Sequence, residues 1–129
     1  MSGPIISIDR SEILEGKLEE VEQAIARMAA FVEAEEPDTI AYEVFLDPSR
    51  TWMTVVQIHP DSASMGRHLE IARPVFAPFA GLIRLAEIHV YGDPSPRLLE
   101  QLEAKAAALG DATTTVHRLE RGFARLGSL

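Results

Sequence analysis

Hydrophobic and polar positions follow two periods along this chain, and the switches between them mark its elements. Ile5, Ile6 and Ile8 follow Gly3-Pro4 as a short β-rich run, which predicts a first strand over residues 4–10. Leu14, Leu18, Val21, Ile25, Met28 and Val32 then step by four and three, while Glu19, Glu20, Glu22 and Glu33 lie off that stripe. This spacing predicts an amphipathic helix with one buried face, beginning near Ser11 or Glu15-Gly16 and stopped by Pro37. Period two returns at 39–47, with Ile40, Tyr42, Val44 and Leu46 on one face, and again at 51–59. The Asp47-Pro48-Ser49-Arg50 turn between them makes an antiparallel hairpin.

A helix capped by Asp61 or Ser62 is expected to run to about Arg73. Pro74 and Pro78 offset a further turn through Phe79. Residues 82–91 read as a fourth strand. Ser95-Pro96 opens a last helix carrying Leu98, Leu99, Leu102, Ala106 and Leu109, which Gly110 ends; residues 112–118 read as a fifth strand. The order β-α-β-β-α-β followed by α-β predicts an α+β fold: a ferredoxin-like split βαβ with an antiparallel sheet and an extra C-terminal helix and strand. One domain is expected over 1–129, with its core at about 3–92 and the extension at about 93–129. The 122–126 segment is expected to order against a partner chain.

Trp52, Val56 and Ile58 oppose Met53 and Val55 in the third strand, and Ile83 and Leu85 oppose Ala86, Ile88 and Val90 in the fourth. Apolar residues on both faces predict that both are buried, and hence a homodimer that packs the open sheet faces together.

Composition then narrows the partners. A net charge of −8 repels phosphate backbones, so no nucleic acid is expected. No apolar run approaches the roughly 20 residues that span a bilayer, and no signal peptide is read, so no membrane partner is expected. The absence of cysteine removes disulfides, thiolate metal sites and a cysteine nucleophile, and fits the cytoplasm. No H-x-H or H-x-x-x-H pair, Gly-rich phosphate loop or Ser-His-Asp signature occurs, so no metal site is expected.

Glu36-Pro37 ending the first long helix, the Tyr42–Val44 strand, the TVVQIH-type strand ending at His59, and Asp61-Ser-Ala-Ser followed by His68-Leu69 resemble the antibiotic biosynthesis monooxygenase domain family. The resemblance covers roughly residues 3–92 and implies a dimeric α+β barrel. It implies a cofactor-independent monooxygenase acting on a small aromatic or quinone-like molecule in an apolar pocket, with no bound metal or flavin. The alternative is a non-catalytic small-ligand-binding or stress-response dimer of the same fold. Haem degradation fits less well, because such relatives use an Asn with a Trp and a His and this chain has no asparagine. Gln57 stands where related strands often carry a Glu, which removes one possible base.

His68 is the catalytic candidate, because imidazole titrates near neutrality and can take a proton from a substrate oxygen or carbon. A histidine bonded to a backbone carbonyl is the plainer alternative. Tyr42, Trp52, Gln57, Phe76 and Phe79 are the candidate pocket residues, the aromatics as stacking walls or as ordinary core. His59 reads as a strand end, and Glu87, His89 and Tyr91 as a polar row at the dimer interface. His117 reads as a surface residue, and the run Glu33–Glu36 as a solvated helix end.

Overall fold

The computed structural model describes residues 3–126, so residues 1, 2 and 127–129 of the expected domain lie outside the described residues. The chain runs β1 (Ile5–Ile13), α1 (Leu18–Glu35), β2 (Ala41–Leu46), β3 (Trp52–His59), α2 (Ser62–Ile71), α3 (Arg73–Phe76), a 3₁₀ turn (Ala77–Gly81), β4 (Ile83–Tyr91), α4 (Pro96–Leu109) and β5 (Thr113–His117). The α+β class and the split-βαβ order are as expected. One open sheet has the order β2-β3-β1-β4-β5. β1 pairs antiparallel with β3 and β4, and β2 with β3. β5 joins β4 in parallel, which the intervening helix α4 makes possible.

The first helix starts one turn later than its stripe suggests. Ile13 ends β1, Gly16 turns the chain with φ 78°, and Leu14 lies outside the helix. The buried face of α1 is Val21, Ala24, Met28 and Val32. α2 begins at a side-chain cap, Ser64 N donating to Asp61 Oδ1 at 2.8 Å; α4 begins likewise, with Leu98 N donating to Ser95 Oγ at 3.1 Å. Gly110 ends α4 at φ 145°, where a Cβ would lie 2.8 Å from the Leu85 carbonyl oxygen.

β4 departs from the alternation read in the sequence. Arg10 pairs with Glu87 and Ser11 with Leu85, so Ala86 is an extra residue in a β-bulge. The bulge returns Ile88 and Val90 to the same side as Ile83 and Leu85, and all four are buried. β4 is therefore apolar on one face only, which corrects the expectation that Ile83 and Leu85 oppose Ile88 and Val90. β3 does alternate as expected, with Met53 and Val55 buried and Trp52, Val56 and Ile58 half-buried on the open face.

The helices cover the other face and create two apolar clusters. One joins Ile5, Met65, Leu69, Leu85, Ile88 and Val90 to the α4 residues Leu98, Leu102, Ala106 and Leu109. The second packs α1 on Ile13, Met53, Val55, Phe79 and Ile83. Ile5 and Ile13, at the two ends of β1, belong to different clusters. Between them the inward positions of this central strand are Ser7, Asp9 and Ser11, each buried. A polar strip thus lies under the helices, where apolar side chains would be expected.

Among the described residues, no helix is long and apolar enough to cross a membrane. Residues 118–126 form no helix or strand, and Leu119 and Phe123 are exposed there.

Candidate active site

Pro37 stops α1 and fixes Glu36 at its last turn. The Glu36 amide donates to Val32 O at 3.0 Å, and its carbonyl accepts from Thr39 N at 3.0 Å. The carboxylate turns inward. Its Oε1 receives Nδ1–H of His68 at 2.7 Å, with both side chains about 5% exposed or less. Thr39 Oγ1 also donates to this oxygen, at 3.3 Å. A carboxylate on Nδ1 fixes the imidazole tautomer and leaves Nε2 as the proton acceptor. Glu36 Oε2 is buried without a hydrogen-bond partner. Such an atom carries a desolvation cost unless water or a ligand donates to it.

Two further rings surround His68. Tyr42 lies 5.8 Å from it and His59 lies 5.6 Å from it, centroid to centroid. Burial, with the Asp9 and Glu36 charges adding to it, pushes the Tyr42 phenol well above its ordinary range, so it stays a hydroxyl donor. His59 Nε2–H donates to Gln57 Oε1 at 2.9 Å, and its Nδ1 accepts from Ser64 Oγ at 3.2 Å. Burial foremost, then the neighbouring His68, pushes the His59 imidazole down to about 4. His59 is therefore a neutral support, and His68 is the imidazole placed to move protons.

His68 opens onto a cavity of about 40 Å³ between the two apolar clusters. Asp9, Ser11, Met28, Tyr42, Val44, Met53, Val55, Gln57, Phe76, Phe79 and Lys105 are among its walls. That volume holds about one water. A ring-sized ligand enters only as wall side chains move, and the unbranched Met28 and Met53 yield most readily. A larger open groove of about 940 Å³ lies between α2 and the start of α4. His68 does not line it, and its two arginines, Arg67 and Arg97, are paired with Asp38 and Glu70.

Of the residues singled out in the sequence, His68, Tyr42, Gln57, Phe76 and Phe79 all line the cavity. Trp52 does not. Strand alternation puts it on the open face, under the Arg10 guanidinium at 4.5 Å from the ring centroid. Glu36 is no solvated helix end: it is the histidine's partner, and it supplies the carboxylate that Gln57 lacks. The proline directly after it was the available signal, because it ends the helix at that residue. His117 is no isolated surface residue either. On the open face Glu87 accepts from Arg10 at 3.1 Å and from His89 Nε2–H at 2.9 Å. His117 Nε2–H donates to His89 Nδ1 at 2.9 Å and its ring stacks on Tyr91 at 4.5 Å. Among the described residues, no group of three or more His, Asp or Glu side chains is arranged to hold a metal ion.

No family model and no curated protein matches the chain in sequence. Solved structures do match in shape. MupZ from Pseudomonas fluorescens superposes with a TM-score of 0.75 at 19% identity, over 97% of this chain and 91% of that one. A mutant of SnoaB, a cofactor-independent oxygenase from Streptomyces nogalater, gives 0.60 at 19% identity, over 68% of this chain and 90% of that one. A Caulobacter crescentus protein provisionally named an antibiotic biosynthesis monooxygenase gives 0.56 at 20% identity, over 69% and 88%. This chain has the antibiotic biosynthesis monooxygenase fold. The oxygenase-type neighbours leave about a third of the chain unmatched, whereas the MupZ match spans nearly all of it.

Proposed function

We propose that the protein is a cofactor-independent monooxygenase acting on a small aromatic or quinone-like molecule, with His68 as the general base. The observation that carries this reading is the buried Glu36–His68 pair, which opens onto an otherwise largely apolar cavity. Glu36 holds the imidazole with Nε2 unprotonated and stabilises the imidazolium once a proton is taken, the role a buried carboxylate has beside a catalytic histidine. For an anthrone-type substrate, His68 removes a ring-methylene proton to give an electron-rich anion. That anion reduces oxygen and combines with it, and loss of water leaves a carbonyl. The overall change is CH₂ plus O₂ to C=O plus H₂O. Tyr42, held protonated, is a hydrogen-bond donor for the developing oxyanion.

The test separates the proton step from the oxygen step. Anthrone in deuterated buffer without oxygen should exchange its methylene protons faster with the protein than without it, and oxygen uptake should appear on aeration. Exchange without uptake would leave an acid–base enzyme that is no oxygenase. Neither reaction on a panel of anthrones and quinols would sink the enzymatic reading. The second reading, a dimer that binds a small ligand without turnover, is favoured by the small cavity and would then stand if native mass spectrometry finds a retained ligand.

We also propose that two copies pack their open sheet faces together. Ile6, Ile8, Val56 and Ile58 form a half-buried apolar row on that face, and Phe45 is 51% exposed beside it. A monomeric mass by light scattering at micromolar concentration contradicts this.

A further inference from the structure

The polar strip on β1 has a partner that the proton-transfer scheme does not use. Lys105 reaches in from α4 and places Nζ 2.6 Å from Asp9 Oδ2, with the two side chains 11% and 4% exposed. Ser7 Oγ donates to the other Asp9 oxygen at 3.2 Å. Asp9, Ser11 and Lys105 line the same cavity as His68, and the Lys105 ammonium lies 5.9 Å from the Phe76 ring.

Fold stability does not account for this pair. An ion pair in such a place is often no better than apolar residues of the same volume, since each charge loses its water. The neighbours on α4, Leu102, Ala106 and Leu109, are apolar and buried. An ammonium has three donors, and Asp9 is the one hydrogen-bond partner of Lys105 among the described residues. The pair can therefore act on a ligand hydroxyl in both directions: Lys105 donates to the oxygen, and Asp9 accepts its proton when it carries one. Ser11 adds a donor or an acceptor beside them.

We infer that Asp9 and Lys105 form a subsite that binds a hydroxyl or phenolate oxygen of the ligand, so the cavity selects hydroxylated aromatics over bare or methylated ones. α4 lies in the extension beyond the 3–92 core, so that extension brings to the cavity a cation the core lacks. The inference rests on this cavity being the ligand site, as proposed above.

The test compares 1-naphthol with 1-methoxynaphthalene by fluorescence titration of the intact protein. Wild type should bind 1-naphthol about tenfold or more tightly, because the naphthol O–H can donate to the Asp9 carboxylate and the ether cannot. The double variant D9V/K105M, which replaces the ion pair by apolar side chains, should erase the preference while holding the ether's affinity within about twofold. Equal wild-type affinities, no binding of either probe, or an intact preference in D9V/K105M would overturn the subsite. Should that double variant not fold, the ¹⁵N shift of the wild-type Lys105 ammonium decides: it should move with 1-naphthol and not with the ether, and no movement overturns the proposal. Failure of the proton-transfer reading looks different, as lost methylene exchange with the naphthol preference intact.

Discussion

Glu36 and His68 lie 32 positions apart and meet at 2.7 Å, one at the last turn of α1 and the other in the second half of α2. Neither has a role alone that its neighbours could replace. The carboxylate is buried and needs a donor, and the imidazole needs a fixed tautomer. In Glu36→Gln the amide keeps the shape and loses the charge. The rate of anthrone methylene exchange should fall by about 10²–10⁴, and His68→Ala should fall as far. The double variant should be no slower than either single one, since the two act as a unit.

The same pair makes a stability prediction of the opposite kind. His68→Leu leaves a buried carboxylate without its partner and should cost about 3–5 kcal/mol in urea unfolding. Glu36→Leu added to it should recover much of that loss. A double variant as unstable as the single one would mean that packing around His68, and not the unpaired charge, sets the cost.

His59 governs a pH window. Its folded value of about 4 lies below the ordinary 6.5, so the unfolded chain binds the extra proton first. Stability should therefore be complete above about pH 6.5 and fall as pH drops toward 4, by on the order of 2–3 kcal/mol. In His59→Gln the slope in this window should flatten. A variant with the wild-type slope would assign the window to other groups.

Deleting Ala86 should be tolerated, because it removes the bulge and keeps every β1–β4 pair. With Ala86 gone, Leu85 and Glu87 become neighbours and still face Ser11 and Arg10, so Ile83, Leu85, Ile88 and Val90 all stay on the buried face. A folded product by circular dichroism is expected, and an unfolded one would mean that the bend at the bulge is itself needed. Ala86→Ser, which keeps the extra residue, should fold normally.

The open face gives a prediction about assembly. Ile8→Lys places a charge in the middle of the half-buried row, opposite Val56 and His89. It should shift the proposed dimer to monomer by light scattering while leaving the thermal unfolding of the monomer little changed. Trp52→Ala, on that same face, should leave 1-naphthol binding unaltered, since the ring lies across the sheet from the cavity.

The element order was legible in the sequence because each element carries its own punctuation: Pro37 after α1, Asp61 and Ser95 as caps, Gly110 behind α4. His68 and the pocket residues Tyr42, Gln57, Phe76 and Phe79 could be singled out, since a ring or a polar group at an inward position stands out against its period. What failed depended on partners. Strand alternation in isolation cannot reveal the bulge at Ala86, which exists only relative to β1. That single extra residue made β4 look apolar on both faces. Trp52 was assigned by its chemistry, and its face followed from a register that chemistry does not report. Glu36 hid in an acidic run, and Asp9 and Lys105 are 96 positions apart, so no local pattern joins them.

The position of β1 in the sheet has a consequence for how the protein comes into being. Of the described elements this strand is made first, yet it lies at the centre: one side waits for β3, and the other for a strand that begins only at Ile83. The Asp9 carboxylate on it then waits longer still, for Lys105. During synthesis the cavity floor thus exists as a wet, half-paired ribbon until most of the chain has left the ribosome, and the last helix is what finally dries it. A fragment ending before α4 should accordingly leave the Asp9 carboxylate open to water, with nothing over it.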